Sequence, residues 1–316
     1  MRIVLITLLV ALINQGCGAS TSRSKSCTHV KSQAPLAIVD GYESSKFPSV
    51  VFIMAGKLGG QMAACTGTVV GHNAVLTAAH CIRGNAADHY IMQGTGYRGA
   101  EYTAALKSAL SPKAIISHGT IDNSTGTLSP DQRRDDLVVM IFKDQTFSQT
   151  DVIIPSLYSL SRPAQFSPVI LVGFGKSSPT DTANSNIKRV GDSRYVYNPS
   201  LGRDVVFVFD RDVNDQTFAS MGAKKYSQTL EGDSGGPLLI ETDHGLEILG
   251  VVSGGGSALN GSNNRSVYVD LHSSRSQELF LKAKSNGAVF NAVNSHNRRN
   301  TDGLVAKESS SLVCQK

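Results

Sequence analysis

The chain has 316 residues, with 30 Lys and Arg against 25 Asp and Glu, a formal net charge of +5, 30 glycines and no tryptophan. The positive charge is dispersed, Arg298-Arg299 in the tail included, and without a dense basic block it implies no nucleic-acid role. Abundant glycine and moderate charge suit a secreted β-rich domain, and no internal repeat of fixed period is visible.

In chain order, Met1-Arg2 is a short basic start and residues 3–13 form an apolar run. Gly16-Cys17-Gly18-Ala19-Ser20 then offers small residues to a signal peptidase. The run is too short to span a bilayer, so residues 1–19 read as an export signal rather than a membrane span. The destination is then secreted or periplasmic. Cys17 leaves a lipid-anchored form as an alternative, although Asn14 and Gln15 suit lipoprotein cleavage poorly. Residues 20–37 are polar and read as a propeptide.

From Ile38 onward, short β-branched runs alternate with turn residues: Val50-Val51-Phe52-Ile53, Val69-Val70 and Ala74-Val75-Leu76. This pattern predicts a barrel or sandwich, without helical periodicity. Polar loops between His80 and Asp136, notably residues 118–134, are expected to cover one side of a cleft. Residues 143–168 lose periodicity and carry Pro155, Pro163 and Pro168, as a connection between two halves would. A second set of strands follows over 169–172, 205–209, 238–240, 248–253 and 267–269. Ser274 with Gln277 predicts a capping box for a helix over 273–286. Leu279, Phe280 and Ala283 form its apolar stripe and Asn286-Gly287 its stop. Residues 288–316 read as a polar tail.

The most informative stretch is Glu231-Gly232-Asp233-Ser234-Gly235-Gly236-Pro237-Leu238. Glycines around a serine allow consecutive backbone N–H groups to converge on one small cavity, where an oxyanion can be held. A serine hydroxyl needs a histidine to take its proton, and that histidine needs a carboxylate to fix its tautomer. Both partners precede the serine. Val75-Leu76-Thr77-Ala78-Ala79-His80-Cys81 ends a β-rich run in a histidine, and Asp135-Asp136-Leu137-Val138-Val139-Met140 opens a buried strand after an acid.

Together with Ile38-Val39-Asp40-Gly41, Cys65-Thr66-Gly67-Thr68, Val172-Gly173-Phe174-Gly175 and Gly250-Val251-Val252-Ser253-Gly254, these segments resemble the trypsin/chymotrypsin-like serine proteases, in the family's order. The resemblance implies an all-β protease domain over residues 38–287. It would hold two six-stranded antiparallel barrels, about 38–150 and 151–272, and the short C-terminal helix. His80 is then the general base, Asp136 its orienter and Ser234 the nucleophile, with the N–H groups of Gly232 and Ser234 as the oxyanion hole. Asp135 is read as a solvated neighbour, because the buried strand pattern begins after Asp136. The expected activity is hydrolysis of protein or peptide substrates through an acyl-enzyme, with no cofactor and no metal.

Of the five cysteines, Cys65 and Cys81 are expected to pair across a short loop in an oxidising compartment. Cys27 and Cys314 remain, and a disulfide between them rests on arithmetic alone. By register with the family, Gln228 and Thr229 lie at the base of the primary pocket, with Gly255 and Ser266 on its walls. Glu231 lies nearer the rim and Gly254 stands in place of the family's usual tryptophan. A neutral amide at Gln228 predicts an uncharged residue before the scissile bond. Activation is expected to follow cleavage before Ile38 by another protease, its new ammonium pairing with Asp233. Two rival readings are a catalytically inactive binding module and an esterase, since Gly232-Asp233-Ser234-Gly235-Gly236 also satisfies the α/β-hydrolase pattern.

Overall fold

A computed structural model describes residues 28–29, 38, 41–56, 62–97, 99–119, 130–147, 156–157, 162–177, 186–197, 205–208, 227–243, 245–256, 265–291 and 312–313. The export signal, most of the propeptide, and Cys17, Cys27 and Cys314 lie outside the described residues. The chain divides into two compact units, residues 1–33 with 303–316 and residues 34–302. In chain order the first strands are β1 (Thr28–His29), β2 (Tyr42–Glu43), β3 (Val50–Ala55), β4 (Ala63–Gly71), β5 (Ala74–Thr77), β6 (His89–Met92), β7 (Ala114–Ser117) and β8 (Val138–Ile141). They continue with β9 (Ser156–Leu157), β10 (Pro168–Gly173), β11 (Arg189–Val196), β12 (Val205–Val208), β13 (Pro237–Thr242), β14 (Gly245–Gly256), β15 (Arg265–Asp270) and β16 (Leu312–Val313). In the smaller unit β1 pairs antiparallel with β16, Thr28 opposite Val313 and His29 opposite Leu312.

The larger unit is mostly β, as its runs of Val, Ile and Leu predict. Its first sheet has six antiparallel strands in the order β6-β3-β4-β5-β8-β7. Every position of β3, β5 and β8 is buried, so these strands read as continuous apolar runs without alternation. In the second sheet, β10-β13-β14-β15-β12-β11 closes on itself through β10 and β11. The short strands β2 and β9 are added at β11 and β14. The core of this second barrel collects Val169, Leu171, Tyr195, Leu238, Leu249, Val252 and Tyr268. Ile38 joins them, fully buried.

Three helices complete the described fold: α1 (Gly99–Lys107), α2 (Pro130–Arg134) and α3 (Ser274–Ser285). Within the stretch between His80 and Asp136 read as polar loops the structure also places β6, α1, β7 and α2, while residues 120–129 of the expected cleft loop lie outside the described residues. Helix α1, Gly-Ala-Glu-Tyr-Thr-Ala-Ala-Leu-Lys, is built from good helix formers but has no continuous buried stripe, so periodicity does not announce it. Helix α3 buries the predicted Leu279, Phe280 and Ala283. Its cap, however, is Ser273, one residue before the predicted Ser274. The Ser273 hydroxyl accepts from the Ser276 N–H at 3.0 Å, while the Gln277 amide reaches the Leu271 carbonyl at 2.7 Å instead of closing a box. Beyond the helix the first tail residues are fastened to the first sheet. Asn73 donates to the Gly287 carbonyl at 2.9 Å and accepts from the Val289 N–H at 2.8 Å.

Candidate active site

Local geometry begins with the base. Strand β5 ends at Thr77, and one 3-10 turn over Ala79–Cys81 presents His80 with 12% of its side chain exposed. Asp136 follows α2 and stands two residues before the buried strand β8, where it is fully buried. Its carboxylate accepts three hydrogen bonds, from the His80 N–H at 2.8 Å, from His80 Nδ1 at 2.7 Å and from the Ser253 hydroxyl at 2.5 Å. A carboxylate on Nδ1 places the ring proton there and leaves Nε2 as the acceptor. Sequence reasoning missed Ser253 as a partner of the acid. It lies at a register shift of β14 between Val252 and Gly254, and such a bulge re-aims a side chain. A polar residue closing the run Gly250-Val251-Val252 was the available signal.

The serine turn is built from glycine conformations. Gly232 has φ +96° and Gly235 φ +84°, and a Cβ on Gly235 would stand 2.2 Å from the Thr66 carbonyl. No other residue type fits there without moving β4. The turn is fastened to the first sheet by Thr66: its N–H donates to the Ser234 carbonyl at 2.8 Å and its hydroxyl to the Gly232 carbonyl at 2.9 Å. Gly235 N–H donates to Val252 and Gly236 N–H to Asp233, both at 2.8 Å. The N–H groups of Gly232 and Ser234 are engaged by no acceptor among the described residues. Nor does any described residue hydrogen-bond the Ser234 hydroxyl.

The Cys65–Cys81 disulfide joins the residue before Thr66 to the residue after His80, with Cα atoms 6.2 Å apart. It closes a separation of 16 residues, which corresponds to about 3 kcal/mol in the chain-entropy picture. Cys81 Sγ lies 3.6 Å from the Ser234 carbonyl, so a single cross-link holds histidine and serine segments together. A His80 ring nitrogen and the two sulfurs lie within 4.8 Å of one another. The sulfurs are bonded to each other and offer no thiolate to a metal.

Asp135 turns out to be more than solvated. Arg275 of α3 grips it through Nε at 2.6 Å and Nη2 at 3.1 Å, which holds its carboxyl below the usual carboxylate range. Asp233 is fully buried and accepts from the N–H groups of Gly175 and Leu230, both at 2.8 Å. Burial pushes its carboxyl up to about 7, against those two donors and the charge of Arg189. No cation lies within 4 Å of it among the described residues. Of the predicted pocket residues, Thr229, Ser266 and Gly255 lie together. Thr229 donates to the Ser266 hydroxyl through its N–H at 2.9 Å and its own hydroxyl at 2.8 Å, and Ser266 stands opposite Gly255 across β15 and β14. Gln228 is buried, while Glu231 is exposed and paired with Lys176. The antiparallel sheets are not the parallel, helix-crossed sheet that an α/β-hydrolase esterase requires.

Comparison with known proteins agrees with this fold. The family model described as Trypsin matches residues 38–276. Trypsin zeta of Drosophila melanogaster is 26% identical over 203 residues, 61% of this chain and 65% of its own. Trypsin zeta of Drosophila erecta is 25% identical over the same shares. Lectizyme of Glossina austeni is 26% identical over 271 residues, 80% of this chain and 89% of its own. The chain thus spans about two thirds of the length of the trypsin zeta proteins. Among the described residues, no helix is long and apolar enough to cross a membrane.

Proposed function

Because this chain belongs to the trypsin family of serine proteases, we propose that it is an exported serine endopeptidase that cleaves peptide bonds through His80, Asp136 and Ser234. The observation that carries this reading is the Asp136 carboxylate on His80 Nδ1 at 2.7 Å. His80 Nε2 takes the proton of Ser234 as its oxygen adds to the scissile carbonyl. The oxyanion that forms is held by the N–H groups of Gly232 and Ser234, each such donor contributing about 3 kcal/mol to the transition state. Collapse breaks the C–N bond, and His80 returns its proton to the leaving amine. Water, deprotonated by the same imidazole, then releases the acyl group from Ser234.

Substrate preference follows from the pocket. Gln228, Thr229 and Ser266 present amide and hydroxyl groups, and a cationic side chain among them would be buried without a counter-charge. The preferred residue before the scissile bond is therefore uncharged. Profiling with a diverse peptide library should give cleavage mainly after uncharged residues. Dominant cutting after Arg or Lys would contradict the pocket assignment.

Activation follows from Asp233 and Ile38. A buried carboxyl held up near 7 is a poor anion until a cation joins it. Cleavage after Ala37 would create that cation as the Ile38 ammonium, from a residue already packed in the second barrel's core. Ala37 is a poor site for a trypsin-like activator, so an activating protease of other specificity is implied. The pairing raises the ammonium pKa above its free value near 8, so activity should hold at neutral pH and fall as pH rises through the raised value. N-terminal sequencing of the active form should begin at Ile38. Full activity in a chain starting well upstream would overturn this step.

A further inference from the structure

Beside the triad lies a cation that the mechanism does not use. Arg133, near the end of α2, is only 5% exposed. A guanidinium has five N–H donors in a planar fork and keeps its charge throughout the physiological range. Among the described residues it makes one hydrogen bond, a long one from Nη1 to the Ser253 carbonyl at 3.3 Å. The nearby Asp136 favours its charge but forms no ion pair with it within 4 Å, because the carboxylate is already engaged by His80 and Ser253. Gly254 makes this placement sterically workable. A Cβ there would stand 2.6 Å from Nη1 and 3.5 Å from Cζ and Nη2. A buried cation that no described carboxylate meets within 4 Å is costly, and the cost is recovered when a ligand supplies an anion.

The backbone beneath the guanidinium is also open. Up to Val252, β14 is paired on one side with β13 and the serine turn: Val251 faces Pro237, and Val252 N–H donates to Gly236. Beyond it, Gly254, Gly255 and Gly256 pair only with β15 among the described residues, facing Val267, Ser266 and Arg265. Three glycines on a free edge let an extended peptide approach closely and add as a strand. A substrate with its reacting carbonyl at Ser234 and the preceding side chain in the Gln228 pocket would run along that edge, past Arg133.

We infer that Arg133, seated on Gly254, forms an anion-binding subsite that selects an Asp or Glu side chain among the second to fourth residues before the scissile bond. This subsite rests on the endopeptidase reading. Two of the guanidinium donors can fork onto a carboxylate, the strongest pairing open to this side chain. The amide isosteres Asn and Gln supply only one neutral acceptor.

The test is a set of fluorogenic peptides that share the preferred cleavage residue and differ by Glu or Gln at each of those three positions. For at least one position, kcat/KM of the activated full-length enzyme should favour Glu about tenfold, with the preference shrinking as salt rises. Arg133→Gln should bring that ratio close to one while cleaving the Gln peptide within about threefold of wild type, and Arg133→Lys should keep part of the preference. If Arg133→Gln does not fold, Gly254→Ala serves instead, since its methyl must displace the guanidinium and reduce the ratio. Cleavage with no Glu preference at any position overturns the subsite alone, as does a preference that survives Arg133→Gln in a folded protein. An activated enzyme that cleaves no peptide of the set overturns the endopeptidase reading and the subsite with it.

Discussion

Ser234→Ala is expected to lower kcat for peptide hydrolysis by about a millionfold and to leave the fold unchanged. The substitution removes the atom that attacks the carbonyl and nothing that holds the turn. The Ser234 carbonyl still accepts from Thr66, Gly235 still donates to Val252, and Gly236 to Asp233. Since no described residue hydrogen-bonds the hydroxyl, its loss orphans no buried partner and the thermal midpoint should move little. Kinetics on a fluorogenic peptide and a melt of the same sample check both halves. Substantial residual hydrolysis in pure protein would rule out the proposed nucleophile.

Asp136→Asn should cost about 10⁴-fold in kcat, as the amide does in triads of this type. Asp136 accepts three hydrogen bonds, and an amide cannot reproduce them. If its oxygen keeps the bond from the His80 backbone, its NH₂ faces His80 Nδ1 and the Ser253 hydroxyl. Nδ1 must then become the acceptor, which moves the ring proton to Nε2 and leaves His80 unable to take the proton of Ser234. The fold survives because the backbone bond at 2.8 Å is kept. A drop of less than about tenfold would mean that Asp136 does not set the tautomer.

The parts legible in the sequence are those written in contiguous residues. The serine turn needs glycines on both sides of Ser234 in one short loop, and positive φ at Gly232 and Gly235 bears out that requirement. Strands such as β3 and β8 were legible because burial at every position demands an unbroken apolar run. Ser253 was not, since its partner Asp136 is 117 residues away and only the bulge in β14 turns the hydroxyl towards it. Arg133 was hidden for the same reason: a charged residue in a polar stretch looks solvated until Gly254 is seen making room for it. The bond from Arg275 to Asp135 likewise crosses 140 residues. At the C-terminal helix, two adjacent serines offered two caps. The hydrogen bond to Ser276 selects Ser273, a choice made by where the chain leaves β15.

Everything proposed for the triad requires Ser234 to be an activated nucleophile. The most direct measurement is reaction of the processed protein with a fluorophosphonate, followed by mass mapping of the modified peptide. One adduct per chain is predicted, on Ser234, absent after His80→Ala and absent from the unprocessed chain. A processed, folded protein that takes up no adduct, or takes it up on another serine, would contradict the claim.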